Sequence, residues 1–280
     1  MKKFGIVGLG FVAPRHIQAI KDVNGDIVFG CDIDAGTKEK IPQSSAFYKD
    51  FSEALKKTEN LDYLSICTPN YLHYPMAVAA WEKYGKNCTI ICEKPVCIRP
   101  EDFEDLLKRE QEGYKLFVTQ QFRHNPYLVE QQQRYSDDKK QHRAEINILV
   151  WRDDWYFEPD CWKVDKDRSG GAIINISVHA HDLLCWFFGP HLSCYSEEEV
   201  RHASGKIEFH NAFVNWNLNL RQPKNEQRRE ITIDGETLNL SKGFENLHTK
   251  VYQDIVFQNQ GLRPSDIRDT MRLMWDLCNL

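Results

Sequence analysis

A glycine-rich turn near the amino terminus constrains the fold of this chain more than any other feature. The turn reads Gly8-Leu9-Gly10-Phe11-Val12-Ala13 and fits the pattern G-x-G-x-x-G/A. It follows an apolar run, Lys3–Val7, that predicts a strand, and it opens a helix predicted over Ala13–Val23. A strand, this turn and a helix in that order are typical of a dinucleotide-binding unit.

Each small residue of the turn has a predicted task. Gly8 permits the tight turn, Gly10 lets a pyrophosphate approach the backbone, and Ala13 keeps helix and strand close. The amino terminus of the helix then faces the phosphates. The predicted cofactor residues of this turn are Gly8, Gly10, Phe11 and Val12.

An acidic residue at the end of the next apolar run favours NAD over NADP. Asp32 follows Asp26–Cys31 at about the spacing of the carboxylate that binds the ribose 2′-hydroxyl, with Ile33 beside it. That carboxylate would repel a 2′-phosphate, and Asp34 adds to the repulsion. The alternative is a tight strand–helix turn followed by an exposed aspartate.

The first 120 residues alternate between strand-like and helix-like segments. Further strands are predicted at Tyr63–Cys67, Thr89–Cys92 and Lys115–Thr119, and helices at Ser52–Lys57, Pro75–Lys83 and Pro100–Gln111. Strands that alternate with helices indicate a parallel sheet covered on both faces. Residues 1–120 are therefore predicted to form a doubly wound α/β domain of the Rossmann type.

Residues 121–280 have a different pattern, which predicts an α+β domain with an open, mostly antiparallel sheet for substrate binding and oligomerisation. Strands are predicted at Ala144–Trp151, within Glu199–Leu220 and within Glu230–Leu240, where Asp234-Gly235 supplies a hairpin turn. Helices are predicted at Pro126–Tyr135, Ala172–Phe188, Leu247–Gln258 and Pro264–Leu277. An apolar sheet face must be covered, so a homodimer or homotetramer is expected.

Composition narrows the classes of function. The net charge is −5, which argues against nucleic acid or an anionic membrane as a partner. No apolar stretch is long enough to span a bilayer. The nine cysteines are scattered without a C-x-x-C pair, which predicts reduced thiols in a cytoplasmic protein and no metal site.

Two residues are candidates for proton transfer. Lys94, in Glu93-Lys94-Pro95, follows a predicted strand whose end points into the cofactor crevice, where a lysine of lowered pKa can exchange a proton with a hydroxyl. A solvated loop is the alternative. His179 shares a helix face with Asn175, Asp182 and Trp186, whereas His181 lies on the apolar stripe and is predicted to be a core histidine. A structural role for His179 stays open.

Other polar residues have two interpretations each. Thr68, Asn70 and His73 follow a predicted strand, where they can cap the next helix or touch the nicotinamide ribose. The loop Arg152–Arg168 carries Tyr156, Trp162, Lys163 and Arg168, which suit a base and phosphate ligand or simply a solvated loop. Arg123, His248 and Thr249 are further candidates for substrate contacts.

These motifs, in this order, resemble the Gfo/Idh/MocA oxidoreductases over nearly the whole chain. The resemblance rests on the glycine turn, Asp32, T-P-N-x-x-H at residues 68–73, Glu93-Lys94-Pro95, and Gly170-Gly171 followed by His179-x-x-Asp182. It implies that Lys94 and His179 are the acid–base residues and that Glu93 and Lys94 adjoin the cofactor. It also implies a lysine from the first domain and a histidine from the second meeting over the nicotinamide ring.

Within the family, the chain is similar to the branch of UDP-N-acetyl-2-amino-2-deoxyglucuronate dehydrogenases of lipopolysaccharide O-antigen synthesis. The segments that carry this are Ala13–His16, Ser65–Pro75, Ile231–Glu236 and Gly243-Phe244-Glu245-Asn246-Leu247-His248-Thr249. The branch implies oxidation of the 3-hydroxyl of UDP-N-acetylglucosaminuronate by NAD, with 2-oxoglutarate as a co-substrate. The alternatives are a dehydrogenase of another sugar or polyol, such as an inositol, and a non-catalytic NAD- or sugar-sensing protein.

Two departures from the family pattern are expected to matter. Many members have Asp four residues before the histidine, where this chain has Asn175, as the nucleotide-sugar branch does. Lys94 and His179 would then move the proton without that carboxylate. The chain also stops soon after its last predicted helix, where relatives continue.

Overall fold

The computed structural model describes residues 1–240 and 245–280. These form two units: Met1–Gln121 with Asn246–Asp266, and Phe122–Glu245 with Ile267–Leu280. The sequence assigns everything after residue 120 to one domain, whereas the structure returns Asn246–Asp266 to the first unit. Gly243 and Phe244, which contribute to the family resemblance, lie outside the described residues.

The first unit is built on a parallel sheet. Its strands are β1 (Lys3–Val7), β2 (Asp26–Cys31), β3 (Ala46–Tyr48), β4 (Tyr63–Ile66), β5 (Thr89–Cys92) and β6 (Leu116–Val118). Their spatial order is β3-β2-β1-β4-β5-β6, with every neighbouring pair parallel. This is the order of a Rossmann fold, so the predicted fold class is confirmed. The sequence missed β3, because its three residues, Ala-Phe-Tyr, are too few to show a strand period.

The α-helices agree closely with the sequence pattern in the first half of the chain and less well in the second. In chain order they are α1 (Ala13–Asp22), α2 (Phe51–Lys57), α3 (His73–Tyr84), α4 (Pro100–Gln111), α5 (Pro126–Ser136), α6 (Lys166–Ser169), α7 (Val178–Phe188), α8 (Leu247–Gln258) and α9 (Arg268–Cys278). Asp50 caps α2 by accepting a hydrogen bond from the Glu53 amide. None of the described helices has the length and apolar character needed to cross a bilayer.

Packing explains why α8 belongs to the first unit. Val251, Tyr252 and Ile255 are buried on one face of α8 and join the core that contains Phe4 and Ile6 of β1. The rings of Phe4 and Tyr252 stack with their centroids 6.1 Å apart. Burial of three such side chains on one helix face is worth several kcal/mol, about 1.5–3 for each. The helix therefore covers the first sheet although it follows the second in sequence.

The second unit contains a mixed, mostly antiparallel sheet. Its strands are β7 (His142–Leu149), β8 (His191–Glu198), β9 (His202–Phe209), β10 (Ala212–Asn219), β11 (Arg228–Ile233) and β12 (Glu236–Asn239), in the order β12-β11-β7-β10-β9-β8. Only β7 and β10 pair in parallel. The hairpin turn predicted at Asp234-Gly235 is confirmed, with φ of 50° and 86° at these residues. The sequence missed β8, which lies at the edge and lacks a buried alternating face.

The predicted continuous α-helix over Ala172–Phe188 is wrong in its first part. Residues Ile173–Ser177 form a π-helical turn, and the α-helix begins at Val178. The Ser177 hydroxyl donates to the Ile173 carbonyl at 2.7 Å, which supplies a local partner for a backbone group at this irregular turn. Insertions of this kind are frequent at functional sites, and this one carries Asn175.

Candidate active site residues

The glycine-rich turn is held in place by its neighbours in the first unit. The Gly8 amide donates to the Cys31 carbonyl at 2.9 Å, and the Leu9 amide donates to Asp32 Oδ2 at 2.6 Å. The Lys40 ammonium donates to the Leu9 carbonyl at 2.7 Å. The predicted turn and the predicted acid are therefore joined directly, and Asp32 also fixes the turn that presents the cofactor site.

The two glycines of the turn have different surroundings. Gly8 has a φ of +81°, and a Cβ there would lie 2.6 Å from the backbone of Cys67 and Thr68. A Cβ at Gly10 would meet nothing within 4 Å. Gly8 is thus required by the close packing against the end of β4, whereas Gly10 leaves open space above the backbone. That open cradle fits a pyrophosphate.

The margins of the turn also fit a dinucleotide. Val12 precedes α1 without a side-chain cap, so no side chain of the turn bonds to the amino terminus of the helix, where the helix dipole favours an anion. Within the first turn, Pro14 has no N–H and the Arg15 amide donates to the Val12 carbonyl at 3.0 Å. Phe11 and Ile33 are each 88% exposed, which is unusual for large apolar side chains and suits contact with a flat ring. The guanidinium of Arg15 lies 5.7 Å from the centre of the Phe11 ring.

We expect alanine at the two glycines to separate folding from cofactor binding. Gly10→Ala should leave the melting temperature unchanged and weaken NAD binding roughly tenfold or more, because its methyl group projects into the ligand space. Gly8→Ala should cost at least about 1–2 kcal/mol of stability through its left-handed backbone alone. Thermal melts and calorimetric titration with NAD check both. Equal effects of the two variants on folding and binding would contradict this assignment.

Thr68, Asn70 and His73 lie in the segment that follows β4. His73 is 1% exposed, and its Nδ1 and Nε2 lie 2.6 Å from the Pro95 carbonyl and 2.8 Å from the Thr68 carbonyl. Burial lowers the pKa of His73. A single 3₁₀ turn over Asn70–Leu72 precedes α3, so Asn70 is not the residue that directly caps that helix. His73 links this segment to the one that contains Lys94.

Glu93 lies in a buried polar network within the first unit. Its Oε1 accepts from His16 Nε2 at 2.9 Å, from the Thr119 hydroxyl at 3.0 Å and from His248 Nε2 at 3.4 Å. The Tyr252 hydroxyl lies 2.8 Å from His16 Nδ1. The Glu93 carboxylate, predicted to adjoin the cofactor, thus accepts hydrogen bonds from side chains of its own unit. These bonds fix Glu93 directly before Lys94.

The hydrogen bonds of this network specify its protonation. Burial lowers the pKa of His16 despite the neighbouring carboxylate, so the ring is neutral. Burial alone would raise the pKa of Glu93, but hydrogen bonds from the two histidines outweigh it and hold that pKa well below its usual value. His16 therefore donates through Nε2 and accepts at Nδ1 from Tyr252, whose hydroxyl lies 2.6 Å from Ser65 Oγ.

Two histidines and one carboxylate within a few ångströms are also the ligand types of a metal site. The ligand atoms of His16, Glu93 and His248 all lie within 4.8 Å of one another. Here the hydrogen bonds already account for these atoms, and the 2.9 Å separation of His16 Nε2 from Glu93 is that of a hydrogen bond. The sequence did not reveal this network, because its members lie far apart along the chain.

In the second unit, His179 is half-buried at the start of α7. Its ring stacks on that of Phe122 at a centroid distance of 4.8 Å. Asn175, one turn earlier, donates through Nδ2 to the Tyr156 hydroxyl at 3.3 Å. Tyr156 is only 2% exposed. The structure thus brings Tyr156, in a 3₁₀ turn over Asp154–Phe157, against Asn175 of the helical turn that leads into His179.

Three residues predicted to bind the substrate form ion pairs or hydrogen bonds with other residues of the protein. Arg123 forms a two-pronged ion pair with Asp182, through Nε at 2.9 Å and Nη2 at 2.6 Å. Arg168 pairs with Asp165 at 2.6 Å. The Thr249 hydroxyl donates to Asp22 of α1 at 2.6 Å, within the first unit. These contacts give each of the three residues a structural role, whereas Lys163 forms no ion pair with a carboxylate of residues 1–240 or 245–280.

Lys163 lies among aromatic rings. Its ammonium is 5.2 Å from the centre of the Trp155 ring, 5.8 Å from that of Trp162 and 5.9 Å from that of Tyr156. Burial lowers the pKa of Lys163. The predicted grouping of a cation with Tyr156 and Trp162 in this loop is therefore present in the structure.

The prediction that His181 is a core histidine is confirmed. The residue is fully buried, its Nδ1 lies 3.0 Å from the Ser177 carbonyl, and its ring meets Trp216 edge-on at 5.3 Å. Burial lowers its pKa from 6.5 to about 4.

We expect His181 to make the folded state sensitive to acid. Its contribution is complete above pH 6.5 and is lost as the pH falls towards 4, because only the unfolded chain takes up the proton. The difference between 6.5 and about 4 corresponds to about 3 kcal/mol. Urea unfolding at several pH values should show a flatter profile for His181→Phe and an unchanged one for the exposed His210→Gln. A profile that does not flatten in His181→Phe would contradict this role.

Comparison with known protein families gives two matches that together span most of the chain. Residues 2–121 match the family described as "Oxidoreductase family, NAD-binding Rossmann fold" of GFO_IDH_MocA. Residues 141–237 match the GFO/IDH/MocA C-terminal domain. The cofactor of this chain is accordingly NAD, in agreement with the geometry at Gly10 and Asp32.

Individual relatives agree with the family matches. A crystal structure of the WlbA (WbpB) dehydrogenase from Thermus thermophilus in complex with NAD and UDP-GlcNAcA is 29% identical, with a TM-score of 0.88 over 100% of this chain and 95% of that one. WlbA from Bordetella pertussis, at 21% identity over 99% of this chain and 94% of that one, has a TM-score of 0.85 and shows the same fold.

Sequence comparison also finds a polyol dehydrogenase. An inositol 2-dehydrogenase/D-chiro-inositol 3-dehydrogenase from Lactiplantibacillus plantarum is 25% identical over 217 residues, which are 74% of this chain and 59% of the relative. The chain thus spans less than two thirds of that relative's length. The two domain matches and these similarities agree, and the chain belongs to the Gfo/Idh/MocA family of NAD-binding oxidoreductases.

Proposed function

We propose that this protein is an NAD-dependent dehydrogenase that oxidises the 3-hydroxyl of UDP-N-acetylglucosaminuronate to a ketone. The observation that carries the proposal is the 29% identity, over the whole chain, to a dehydrogenase solved with NAD and UDP-GlcNAcA. The Tyr156–Asn175 contact beside His179 supports it, because these polar groups can hold a sugar near a titratable side chain.

The reaction requires a hydride and a proton to leave the same alcohol. NAD, when bound, supplies the hydride acceptor. As the hydride leaves the sugar carbon, Lys94 or His179 takes the single proton of the hydroxyl group. Lys94 follows β5 at the carboxyl edge of the sheet, where ligands bind in this fold. Glu93, fixed by His16 and Thr119, holds the backbone from which Lys94 projects.

Asn175 in place of aspartate changes the charge around His179 and leaves acid–base work to the lysine and the histidine. An amide there can donate or accept hydrogen bonds without adding negative charge beside an acidic substrate. This favours an anionic sugar over a neutral one. The product would be the 3-keto sugar, a substrate for an aminotransferase in lipopolysaccharide O-antigen synthesis.

Two further features extend the proposal. A keto acid such as 2-oxoglutarate would reoxidise NADH, and a second Thermus WlbA structure, also 29% identical, contains NAD and alpha-ketoglutarate. The nine cysteines are free thiols, which suits a reducing compartment such as the cytoplasm. A homodimer or homotetramer is proposed from the open sheet of the second unit.

The second candidate is oxidation of a neutral polyol, favoured by the similarity to the inositol dehydrogenase. NADH formation should be measured with UDP-N-acetylglucosaminuronate, myo-inositol and glucose 6-phosphate, each with and without 2-oxoglutarate. We expect turnover with the nucleotide sugar. If myo-inositol is the one compound that is oxidised, the substrate is a polyol and not the nucleotide sugar. The absence of NADH and of 2-oxoglutarate reduction with every compound would favour a non-catalytic sensor.

A further inference from the structure

In the segment of residues 151–168, several acidic residues form ion pairs, whereas two of the basic residues form none with any described residue. Its acidic residues outnumber its basic ones, yet Asp153 lies 3.6 Å from Lys224, Asp154 pairs with Arg221, and Asp165 pairs with Arg168. Within the described ranges, Arg152 and Lys163 form no ion pair with any carboxylate. These three acids pair with other residues, whereas Arg152 Nη1 donates to a neutral acceptor, the Trp151 carbonyl, at 2.9 Å.

The two cations share one buried ring. The guanidinium of Arg152 lies 5.6 Å from the centre of the Tyr156 ring, and the ammonium of Lys163 lies 5.9 Å from the same centre. Lys163 also meets Trp155 and Trp162, so its charge is surrounded by aromatic faces. Aromatic rings stabilise a cation but do not neutralise it.

Arg229 adds a third positive charge. In β11 it lies opposite Ile148 of β7. Alternate residues of a strand face the same side, so Arg229 lies on the same covered face of the sheet as the buried Ile231 and Ile233. Burial lowers the pKa of Arg229, and the charge of Arg152 lowers it further. Arg152 likewise contributes to the lowered pKa of Lys163. Arg152 thus repels both Lys163 and Arg229. In the described part of the chain, none of these three half-buried cations forms an ion pair with a carboxylate.

Such an arrangement destabilises the free protein and is favourable only when an anion is bound. We propose that Arg152, Lys163 and Arg229 form an oxyanion-binding site for the phosphate or carboxylate groups of an acidic nucleotide sugar. The site deepens the function proposed above and rests on it for the identity of the ligand. Arg152 and Arg229 supply flat, two-pronged donors, and Lys163 supplies a point charge.

Tyr156 connects this site to the chemistry within the second unit. Its ring contacts Arg152 and Lys163, and its hydroxyl accepts from Asn175, one turn before His179. A ligand whose anionic groups bind the cations can therefore place a sugar along Asn175 towards His179. Trp155, 56% exposed beside Lys163, is available to a base.

Binding should be measured by calorimetry on the full chain with NAD present, using UDP, UDP-N-acetylglucosamine, UDP-N-acetylglucosaminuronate and the neutral nucleoside uridine. Lys163→Met and Arg229→Gln remove charge and keep the side-chain stem. We expect each to weaken UDP binding about 10- to 100-fold, as for a lost charged hydrogen bond. The matched control is Arg228→Gln, since Arg228 is exposed and lies 3.6 Å from Glu230.

The ligand series identifies which oxyanion is bound. If UDP and UDP-N-acetylglucosamine show the full loss in the variants, the diphosphate occupies the site. If only UDP-N-acetylglucosaminuronate does, the carboxylate occupies it. The ligand-free variants should melt no lower than the wild type, because relief of repulsion offsets the lost packing. Lower melting of both ligand-free variants, with unchanged Kd for all UDP compounds, would overturn the site.

The proposed function can fail separately from the site. If the wild type ignores all UDP compounds but binds inorganic phosphate or glucose 6-phosphate in a way that Lys163→Met and Arg229→Gln abolish, the oxyanion site stands and the nucleotide-sugar assignment falls. If UDP compounds bind equally well to wild type and both variants, the site falls and the assignment stands.

Discussion

Replacement of Lys94 by alanine is expected to lower kcat for the preferred sugar by about 10²- to 10⁴-fold, the usual contribution of a positioned acid–base group. The Kd for NAD should change little, because the glycine turn and Asp32 are held by contacts that do not involve Lys94. Steady-state kinetics and titration with NAD measure the two quantities separately.

The control for this variant is Lys57→Ala. Lys57 lies on the surface of α2, pairs with Glu53 four residues earlier, and has a side chain that is 62% exposed. It should retain wild-type kcat. A Lys94→Ala enzyme with wild-type kcat would remove lysine from the mechanism, whereas loss of NAD binding together with kcat would show that Lys94 holds the cofactor and not the proton.

The second large effect concerns the ion pair between Arg123 and Asp182. Asp182 has a side-chain exposure of 1% and Arg123 of 8%, and Thr270 also donates to the carboxylate at 2.7 Å. Asp182→Ala leaves a buried guanidinium without its carboxylate, which typically costs about 3–5 kcal/mol of unfolding free energy. Urea unfolding followed by fluorescence measures this loss.

A double variant separates the destabilisation caused by an unpaired charge from the contribution of the ion pair to the free energy of unfolding. Arg123→Met with Asp182→Leu removes both charges and keeps apolar volume, so most of the lost stability should return. If the double variant is as unstable as Asp182→Ala, the pair contributes through packing and not through charge. A loss below about 1 kcal/mol in Asp182→Ala, the range of exposed pairs, would contradict the buried geometry.

Local sequence signals predicted the first unit well. The bounds of β1, β2, β5 and α4 agree with the apolar runs and the proline at the start of α4, because each signal acts over a few residues. The Asp234-Gly235 hairpin was predicted for the same reason: the two residues adopt the backbone angles that the turn requires.

These local signals do not predict which elements distant in the sequence pack together. The periodicity of α8 marks an amphipathic helix but does not say which sheet its apolar face will cover. His16 finds its partners 77 and 236 residues away, so the Glu93 network has no local pattern. The π-helical turn at Ile173–Ser177 also escaped prediction, since its residues fit an ordinary apolar helix.

The residues predicted to bind the substrate also divide into those whose contacts have a local sequence signal and those whose contacts do not. The sequence suggested that Arg123 contacts the substrate and that Arg168 suits a phosphate, and in the structure each pairs with a carboxylate of the protein. The Asp165–Arg168 pair has a local signal, an acid three residues before the arginine, whereas Asp182 lies 59 residues from Arg123. Arg229 was not singled out, because its importance comes from the strand register that brings it onto the face of Ile148.

The most direct test of the central claim is an isotope transfer. The enzyme should be incubated with NAD and UDP-N-acetylglucosaminuronate that carries deuterium at C3, and the nicotinamide product examined by mass spectrometry and NMR. The account predicts deuterium at C4 of the reduced nicotinamide and a ketone at C3 of the sugar. Reduced nicotinamide without deuterium, or no reduced cofactor at all, would contradict it.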